Sequence, residues 1–178
     1  MLDLLKKRRS IRAFTETPVA PEDIDKLLKA ALLAPAGMGK KALEFIVIEE
    51  KQTIARLKSL KAYGTASLTS APLAIVVIAD TRETDTWVED ASIASILIQL
   101  EATSLGLGST WIQLRLREGQ AGSCEDAFRN ILKIPDHYGV LNVIAIGHSN
   151  EKKAPHTDAD MDFAKVHYEQ FDSIQIGC

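Results

Sequence analysis

Residues 86–105, TWVEDASIASILIQLEATSL, carry apolar or small side chains on nearly every side when they are drawn as a helix. A helix that is apolar almost all round must be covered on most of its sides. Ser92, Ser95 and Gln99 interrupt the apolar run, which is therefore too short to cross a membrane. Gly106 follows and favours the left-handed conformation that ends a helix. The rest of the chain must therefore fold around this long helix.

Four segments are predicted to be β-strands, and the first two are continuous apolar runs of the kind found in buried central strands. The four segments are LEFIVI (43–48), LAIVVIA (73–79), STWIQL (109–114) and VLNVIAIG (140–147). Helices are predicted between them. The pattern does not settle the order or the direction of the strands.

The clearest of the other helices lies within residues 20–35, where Pro21 suits the first turn and Pro35 stops the helix. Three further helices are predicted: a short first helix capped by Asp3, one marked by Ile54, Leu57 and Leu60, and CEDAFRNIL (124–132) after a cap at Ser123. The alternation indicates a single α+β domain with helices covering both faces of one sheet.

The composition excludes several classes of protein. The chain has 178 residues and a net charge of −3, whereas a general nucleic-acid binder usually has a basic domain. The N-terminus lacks the apolar stretch of a signal peptide, and no membrane association is expected. Cys124 and Cys178 make no disulfide framework, so we expect a reduced, cytoplasmic location.

Residues 148–178 differ from the rest of the chain, because they are polar and hold three of its four histidines. A segment of this composition cannot build a core of its own. Its few apolar side chains are Met161, Phe163, Val166, Tyr168 and Phe171. Two interpretations stay open: the segment is disordered, or it lies across a partner subunit.

The basic run KKRRSIRAF (6–14) stands near the N-terminus of this mildly acidic chain. If the backbone is extended after Arg9, alternate residues share a face, so Arg8, Ser10 and Arg12 point one way. Two guanidinium groups and a hydroxyl on one face could clamp a phosphate. The alternative is a basic surface that only faces water, as most charge runs do.

Other signals point to no further chemistry. LGLGS (105–109) follows a helix, whereas a dinucleotide-binding glycine motif follows a strand and opens a helix. His148, His156 and His167 match no familiar zinc spacing, and no metal is expected. Cys124 begins a helix without a paired base, so we interpret it as structural.

Three segments together resemble the nitroreductase family of FMN-dependent flavoproteins. They are RRSIRAF, APAGMGKKALEFIVI and LGLGSTWIQL, in the order and spacing of that family. The resemblance implies an α+β, nitroreductase-like fold with a central mixed sheet flanked by helices, in an intertwined homodimer with FMN at the interface. Residues 1–147 would form the FMN-binding core, and residues 148–178 would wrap the partner subunit.

The resemblance also implies roles for individual residues. Arg8 and Ser10 would contact the phosphate and the ribityl chain, Arg9 would lie where the chain passes the flavin, and Arg12 would stabilise negative charge at flavin N1 and the C2 carbonyl. Pro35, Ala36, Gly37 and Met38 would reach the flavin from the other subunit. Trp111, Ile112 and Gln113 would lie beside the flavin ring. His148, Lys152 and His156 would lie near the phosphate.

The activity implied is a ping-pong transfer of hydride from NADH or NADPH, through FMN, to a nitroaromatic, a quinone or a similar small-molecule acceptor. No side chain need act as acid or base, so no catalytic residue is assigned. One alternative is a relative with altered chemistry, such as flavin breakdown or dehalogenation. The other is a non-catalytic flavin-binding module, suggested because Gly39, Lys41, Ala42 and Leu43 replace the Asn, Gln, Pro and Trp of the family's second signature.

Overall fold

A computed structural model describes residues 1–61, 63–120 and 122–171. Its helices are α1 (Leu2–Lys7), α2 (Pro21–Leu32), α3 (Lys51–Ser59), α4 (Trp87–Ser104) and α5 (Cys124–Leu132). Its strands are β1 (Leu43–Ile48), β2 (Leu73–Asp80), β3 (Gly108–Gln113), β4 (Glu118–Gly119), β5 (Gly122–Ser123) and β6 (Tyr138–Gly147). The predicted strands and long helices are therefore confirmed, with ends shifted by one or two residues.

The central sheet has four strands in the order β1-β2-β6-β3, and each neighbouring pair is antiparallel. The strands β2 and β6 are central and almost entirely buried, which explains why their sequences are apolar without alternation. Among the described residues, one parallel pairing adjoins this antiparallel sheet, an isolated bridge between Ser10 and Ser109. The short strands β4 and β5 form a separate two-stranded ribbon.

Helices cover both faces of the sheet, as the sequence predicts. On one face, Leu27 of α2 and Ile98 of α4 pack on residues such as Ile75 and Ile144. On the other face, Leu57 of α3 and Phe128 of α5 join a second apolar cluster. The helix α4 buries eight residues, so the expectation that it is covered on most sides is confirmed. Its small residues, among them Ala91, Ala94 and Ala102, allow the sheet and α2 to approach closely.

Two predicted helix caps have different outcomes. The Ser123 side chain accepts a hydrogen bond from the Asp126 amide and caps α5, as predicted. The predicted cap at Asp3 is wrong, because α1 already begins at Leu2 and Asp3 lies inside its first turn. There the carboxylate instead faces the positive end of the helix dipole.

The chain after β6 turns back along its own N-terminal segment. The amide of Thr15 donates to the His148 carbonyl at 2.9 Å, and the amide of Asn150 donates to the Ala13 carbonyl at 2.9 Å. Further on, the His156 amide donates to the Lys6 carbonyl at 2.8 Å, and Lys6 pairs with Asp158 at 2.5 Å. Residues 148–158 are therefore held by the chain itself.

Beyond Asp158 the described chain forms only the short turns Asp158–Asp160 and Phe163–Lys165. Phe163 and Phe171 are 70% and 78% exposed, respectively. Cys178 lies outside the described residues, whereas Cys124 is buried and free. None of the helices within the described ranges is long and apolar enough to cross a membrane.

Candidate functional site

The N-terminal segment lies along the outer edge of β3. The Ile11 amide donates to the Ser109 carbonyl at 2.9 Å, and Ser10 pairs with Ser109 in the parallel bridge. Main-chain groups of alternate residues in a strand point to the same side. The amides of Trp111 and Gln113 therefore point, like the Ser109 carbonyl, away from β6 and towards this outer edge.

A cleft of about 240 Å³ opens at this edge, just beyond the bridge. We call it the edge cleft, and its lining residues are Arg12, Lys61, Gly64, Ala66, Ser67, Thr110, Trp111, Ile112 and Gln113. The Lys61 ammonium donates to the Gln113 carbonyl at 3.0 Å. The lining contains two cations and no carboxylate, so the edge cleft is suited to a ligand that carries negative charge.

A second cleft, of about 400 Å³, lies on the other side of the N-terminal segment. We call it the basic cleft, because Lys7, Arg9, Lys152 and Lys153 line it together with Ile11 and the turn at residues 106–108. Arg9 donates to the Ala154 carbonyl, and Lys153 donates to the Ser10 carbonyl at 2.5 Å. These contacts hold two of its cations against the main chain.

The one carboxylate in the lining of the basic cleft is already engaged. Glu151 accepts a hydrogen bond from the Arg12 amide at 2.5 Å and lies 3.5 Å from the Lys153 ammonium. The Arg12 amide, and then Lys153, hold the pKa of Glu151 below its ordinary value. Glu151 therefore stays ionised and ties the C-terminal segment to the N-terminal one.

Some of the predicted residues line the edge cleft and others line the basic cleft. Arg12 meets Trp111, Ile112 and Gln113 in the edge cleft, whereas Arg9 meets Lys152 in the basic cleft. Arg9 and Ile11 thus line the same cleft, whereas the common face of Arg8, Ser10 and Arg12 stays a prediction. Apart from the loop at residues 35–38, the predicted residues that line neither cleft are Arg8, Ser10, His148 and His156.

Three of those four residues contribute through the main chain. Ser10 and His148 supply carbonyls that accept from Lys153 and from the Thr15 amide, and the His156 amide binds the Lys6 carbonyl. The imidazole of His156 lies 3.5 Å from Asp160, in the direction of the exposed C-terminal segment. Within the described ranges, no group of three His, Cys, Asp or Glu side chains could hold a metal ion.

The loop at residues 35–38 lies at the opposite end of α4 from the basic cleft. Its Gly37 amide donates to Asp90 in the first turn of α4, whereas Thr103, near the end of α4, lines the basic cleft. At a rise of about 1.5 Å per residue, Asp90 and Thr103 are about 20 Å apart along the helix. In one chain the loop therefore does not reach the basic cleft, and none of residues 35–38 lines the edge cleft.

Sequence reasoning missed Lys7, Lys61, Gly64, Ser67 and Lys153. Lys61, Gly64 and Ser67 belong to the irregular connection between α3 and β2, which has no periodicity that could predict its position. Lys7 stands in the last turn of α1, where a lysine of a charge run is expected to face water. Lys153 stands beside Lys152 in a pair whose members the sequence cannot rank.

Comparison with known proteins gives consistent matches. The model of the nitroreductase family matches residues 5–63 and 56–148. A protein of Archaeoglobus fulgidus named NADH dehydrogenase/NAD(P)H nitroreductase is 35% identical over 156 residues, which are 85% of this chain and 87% of that protein. The family model covers every residue that lines the edge cleft.

Solved structures agree in fold over nearly the whole chain. An FMN-dependent nitroreductase from Clostridium difficile R20291 superimposes with a TM-score of 0.94 and 46% identity, over 96% of this chain and all 100% of that one. A protein from Bacteroides thetaiotaomicron, also named NADH dehydrogenase/NAD(P)H nitroreductase, gives a TM-score of 0.88 at 30% identity, over 96% and 97% of the two chains. The α+β architecture of this chain is thus the architecture of those proteins.

Proposed function

Because the chain belongs to the nitroreductase family, we propose that it is an FMN-dependent oxidoreductase that takes electrons from NADH or NADPH. The acceptor would be a nitroaromatic, a quinone or a similar small molecule. The observation that carries the proposal is the edge cleft, where Arg12 and Lys61 meet the outer edge of β3 with no carboxylate among the lining residues.

The edge cleft fits the pyrimidine side of a flavin ring. Negative charge develops on this side of the ring when a flavin is reduced, and fixed cations stabilise charge that develops in a reaction. Arg12 and Lys61 would supply those cations. The amides of Trp111 and Gln113, which point to the same edge, would donate hydrogen bonds to the ring.

The phosphate end of FMN would lie along the N-terminal segment. Arg8 and Ser10 remain the proposed phosphate contacts, since alternation puts them on the face that carries Arg12. Arg9, Lys152 and Lys153 of the basic cleft would add positive charge close by. Guanidinium and ammonium groups of this kind are the usual partners of a phosphate dianion.

A second copy of the chain would complete the site. The loop at residues 35–38 lines neither cleft of its own chain, and its tip, Met38, is 84% exposed. Leu32 and Leu33, just before the loop, are also exposed apolar side chains. Such a patch is typical of a protein–protein interface. We therefore propose a homodimer in which each loop reaches the flavin of the partner.

The C-terminal residues would strengthen that homodimer. Residues 148–158 bind their own chain, so the proposed wrapping of the partner concerns the residues after Asp158. Phe163 and Phe171 are exposed there and could bury their rings against the second copy.

When bound, FMN would supply the chemistry of hydride transfer between a nicotinamide and an acceptor, for which we propose a ping-pong sequence. The side chains described here hold charge and position, and none is assigned as a general acid or base. Arg12 and Lys61 would act electrostatically, by making a negatively charged flavin ring more stable in the cleft.

Flavin absorbance tests the proposal directly. The protein incubated with FMN and freed of excess should keep a visible flavin band, which bleaches with NADH or NADPH without oxygen and returns with a quinone. A folded protein that stays colourless with excess FMN would overturn the proposal. A yellow protein that neither donor bleaches would favour the non-catalytic flavin-binding module, which is suggested by the buried Ala42 and the strand residue Leu43 where the family has Pro and Trp.

A further inference from the structure

The first turn of α4 contains a buried carboxylate, Asp90, that is only 4% exposed. Its Oδ1 accepts a hydrogen bond from the Gly37 amide at 3.0 Å, and its Oδ2 accepts one from the Thr86 hydroxyl at 3.2 Å. The Thr86 hydroxyl also lies 2.8 Å from the hydroxyl of Thr84, which is buried. Asp90 thus links the start of α4 to the loop at residues 35–38.

A carboxylate is costly to bury, and neutral donors offset that cost less well than a cation would. No ion pair to Asp90 occurs among the described residues. An apolar residue would fill the same position at lower cost. What the carboxylate adds is a fixed hydrogen-bond acceptor for one main-chain amide of the loop.

The loop has few other means of holding its shape. Met38 and Gly39 adopt left-handed backbone conformations, with φ of 52° and 67°. The loop's own main-chain bonds are those of a single turn, from Gly39 to Ala36 and from Lys40 to Gly37. A Cβ atom on Gly37 would lie 2.3 Å from the Thr86 hydroxyl oxygen, so glycine is needed for this close approach.

From these contacts we propose that Asp90 and Thr86 are positioning residues for the flavin site of the partner subunit. They would fix the loop at residues 35–38 in the shape in which it meets the flavin. The inference rests on the proposed function, in which that loop reaches the flavin across the dimer. Neither residue would touch FMN, and both would act through the Gly37 amide.

Asp90 and Thr86 would act by keeping the loop at residues 35–38 ordered before FMN binds. A loop that is already ordered loses little conformational entropy when a ligand binds, whereas a loose loop must be ordered at that moment. Replacing Asp90 by alanine leaves the Gly37 amide and the Thr86 hydroxyl without their acceptor. Losing a hydrogen bond to a charged group corresponds to a change in affinity of roughly 10-fold or more.

The test measures the FMN dissociation constant by quenching of flavin fluorescence, together with the melting temperature of the FMN-free protein. Asp90→Ala should raise the dissociation constant about 10-fold or more. Asp90→Asn keeps an oxygen for the Gly37 amide and should stay within about 3-fold of wild type. Thr86→Val keeps the side-chain shape, removes the hydroxyl and should give an intermediate loss, even if Asp90→Ala does not fold.

Glu89→Ala is the matched control, because Glu89 is an exposed acidic residue in the same turn of α4. It should leave FMN binding unchanged. If Asp90→Ala and Thr86→Val lower only the melting temperature and bind FMN like wild type, the role is structural and the inference is wrong. Failure of the wild-type protein to bind FMN would instead refute the proposed function, so the two failures are distinguishable.

Discussion

The Lys61 ammonium donates to the main-chain carbonyl of Gln113 at 3.0 Å, which fixes a second cation beside Arg12 in the edge cleft. The two residues are far apart in sequence and belong to different elements. Their contact ties the irregular connection after α3 to the outer edge of β3. The position of this cation leads to the first prediction.

Replacing Lys61 by methionine should make the bound flavin harder to reduce. The variant keeps the length of the side chain but removes a charge that would stabilise the reduced ring. The midpoint potential should fall by on the order of 30 mV, which corresponds to about 1.4 kcal/mol for two electrons. Lys58→Met, in α3 and outside the edge cleft, is the control. Equal potentials in the two variants would contradict a role for Lys61.

The N-terminal segment should carry much of the affinity for FMN. Arg8→Ala, and separately Ser10→Ala combined with Arg12→Ala, should each weaken binding about 10-fold or more, since each removes charge-assisted hydrogen bonds. Both variants should yield a folded but colourless protein after purification. Arg117→Ala, an exposed arginine beyond β3, is the control. Full retention of FMN by both variants would count strongly against the phosphate clamp.

The residues after Asp158 should contribute to the dimer. A chain that ends at Met161 keeps the contacts of residues 148–158 and loses the exposed aromatic side chains beyond them. Its dimer dissociation constant, measured by sedimentation equilibrium, should rise, because apolar area buried between subunits is lost. A chain that ends at Gly147 should also lose stability, since it removes Glu151 and Lys153. If the chain that ends at Met161 dimerises as tightly as the full chain, the residues after Asp158 do not wrap the partner.

A buried polar pair between α4 and β6 should matter for stability but not for FMN. The Asn142 amide donates to the Ser95 hydroxyl at 2.8 Å, and Ser95 donates to the Ala91 carbonyl at 2.7 Å. Ser95→Ala leaves the amide unsatisfied and should lower the free energy of unfolding in urea by about 1–3 kcal/mol. Adding Asn142→Leu should recover most of the loss, because neither polar partner then remains. A double variant less stable than Ser95→Ala would contradict this account.

Acid should release a stabilising contact at Asp80. The bidentate hydrogen bonds from Arg82 lower the pKa of Asp80 from 3.8 to about 2. The pKa of Asp80 is lower in the folded state than its ordinary value of 3.8. The ionised carboxylate therefore contributes its full stabilisation at a pH above 3.8, and this stabilisation is lost as the pH falls towards about 2. The stability difference between wild type and Asp80→Asn should shrink over that interval and stay constant above about pH 5. A constant difference down to the lowest measurable pH would refute the assignment.

The sequence predicts the elements of this fold better than their arrangement. Strands such as Leu73–Asp80 and the largely apolar helix Trp87–Ser104 can be identified from composition and period, because burial dictates both. The antiparallel order of the strands could not be predicted, since it depends on which strands pair across long connections. The predicted cap at Asp3 is wrong because an Asp near a helix start suits the cap position and the first turn alike.

In the candidate site, too, local features could be predicted from the sequence, whereas long-range contacts could not. Arg12 and the 111–113 strand could be identified from a local resemblance, and the structure brings them together in the edge cleft. Lys61 could not, because its place depends on an irregular connection folding back to β3. Lys152 was predicted and Lys153 was not, although both line the basic cleft. Two adjacent lysines look alike in the sequence, and only contacts in the structure, such as the hydrogen bond from Lys153 to the Ser10 carbonyl, distinguish them.

The return of residues 148–158 along the N-terminal segment has a consequence for biosynthesis. The segment from Lys6 to Thr15 gains these contacts only after residues 148–158 have been translated. Until then, the strongly basic start of the nascent polypeptide lacks Glu151 and Asp158, which contact it in the finished molecule. A nascent chain that stops before residue 148 therefore lacks the contacts that hold its basic segment in place.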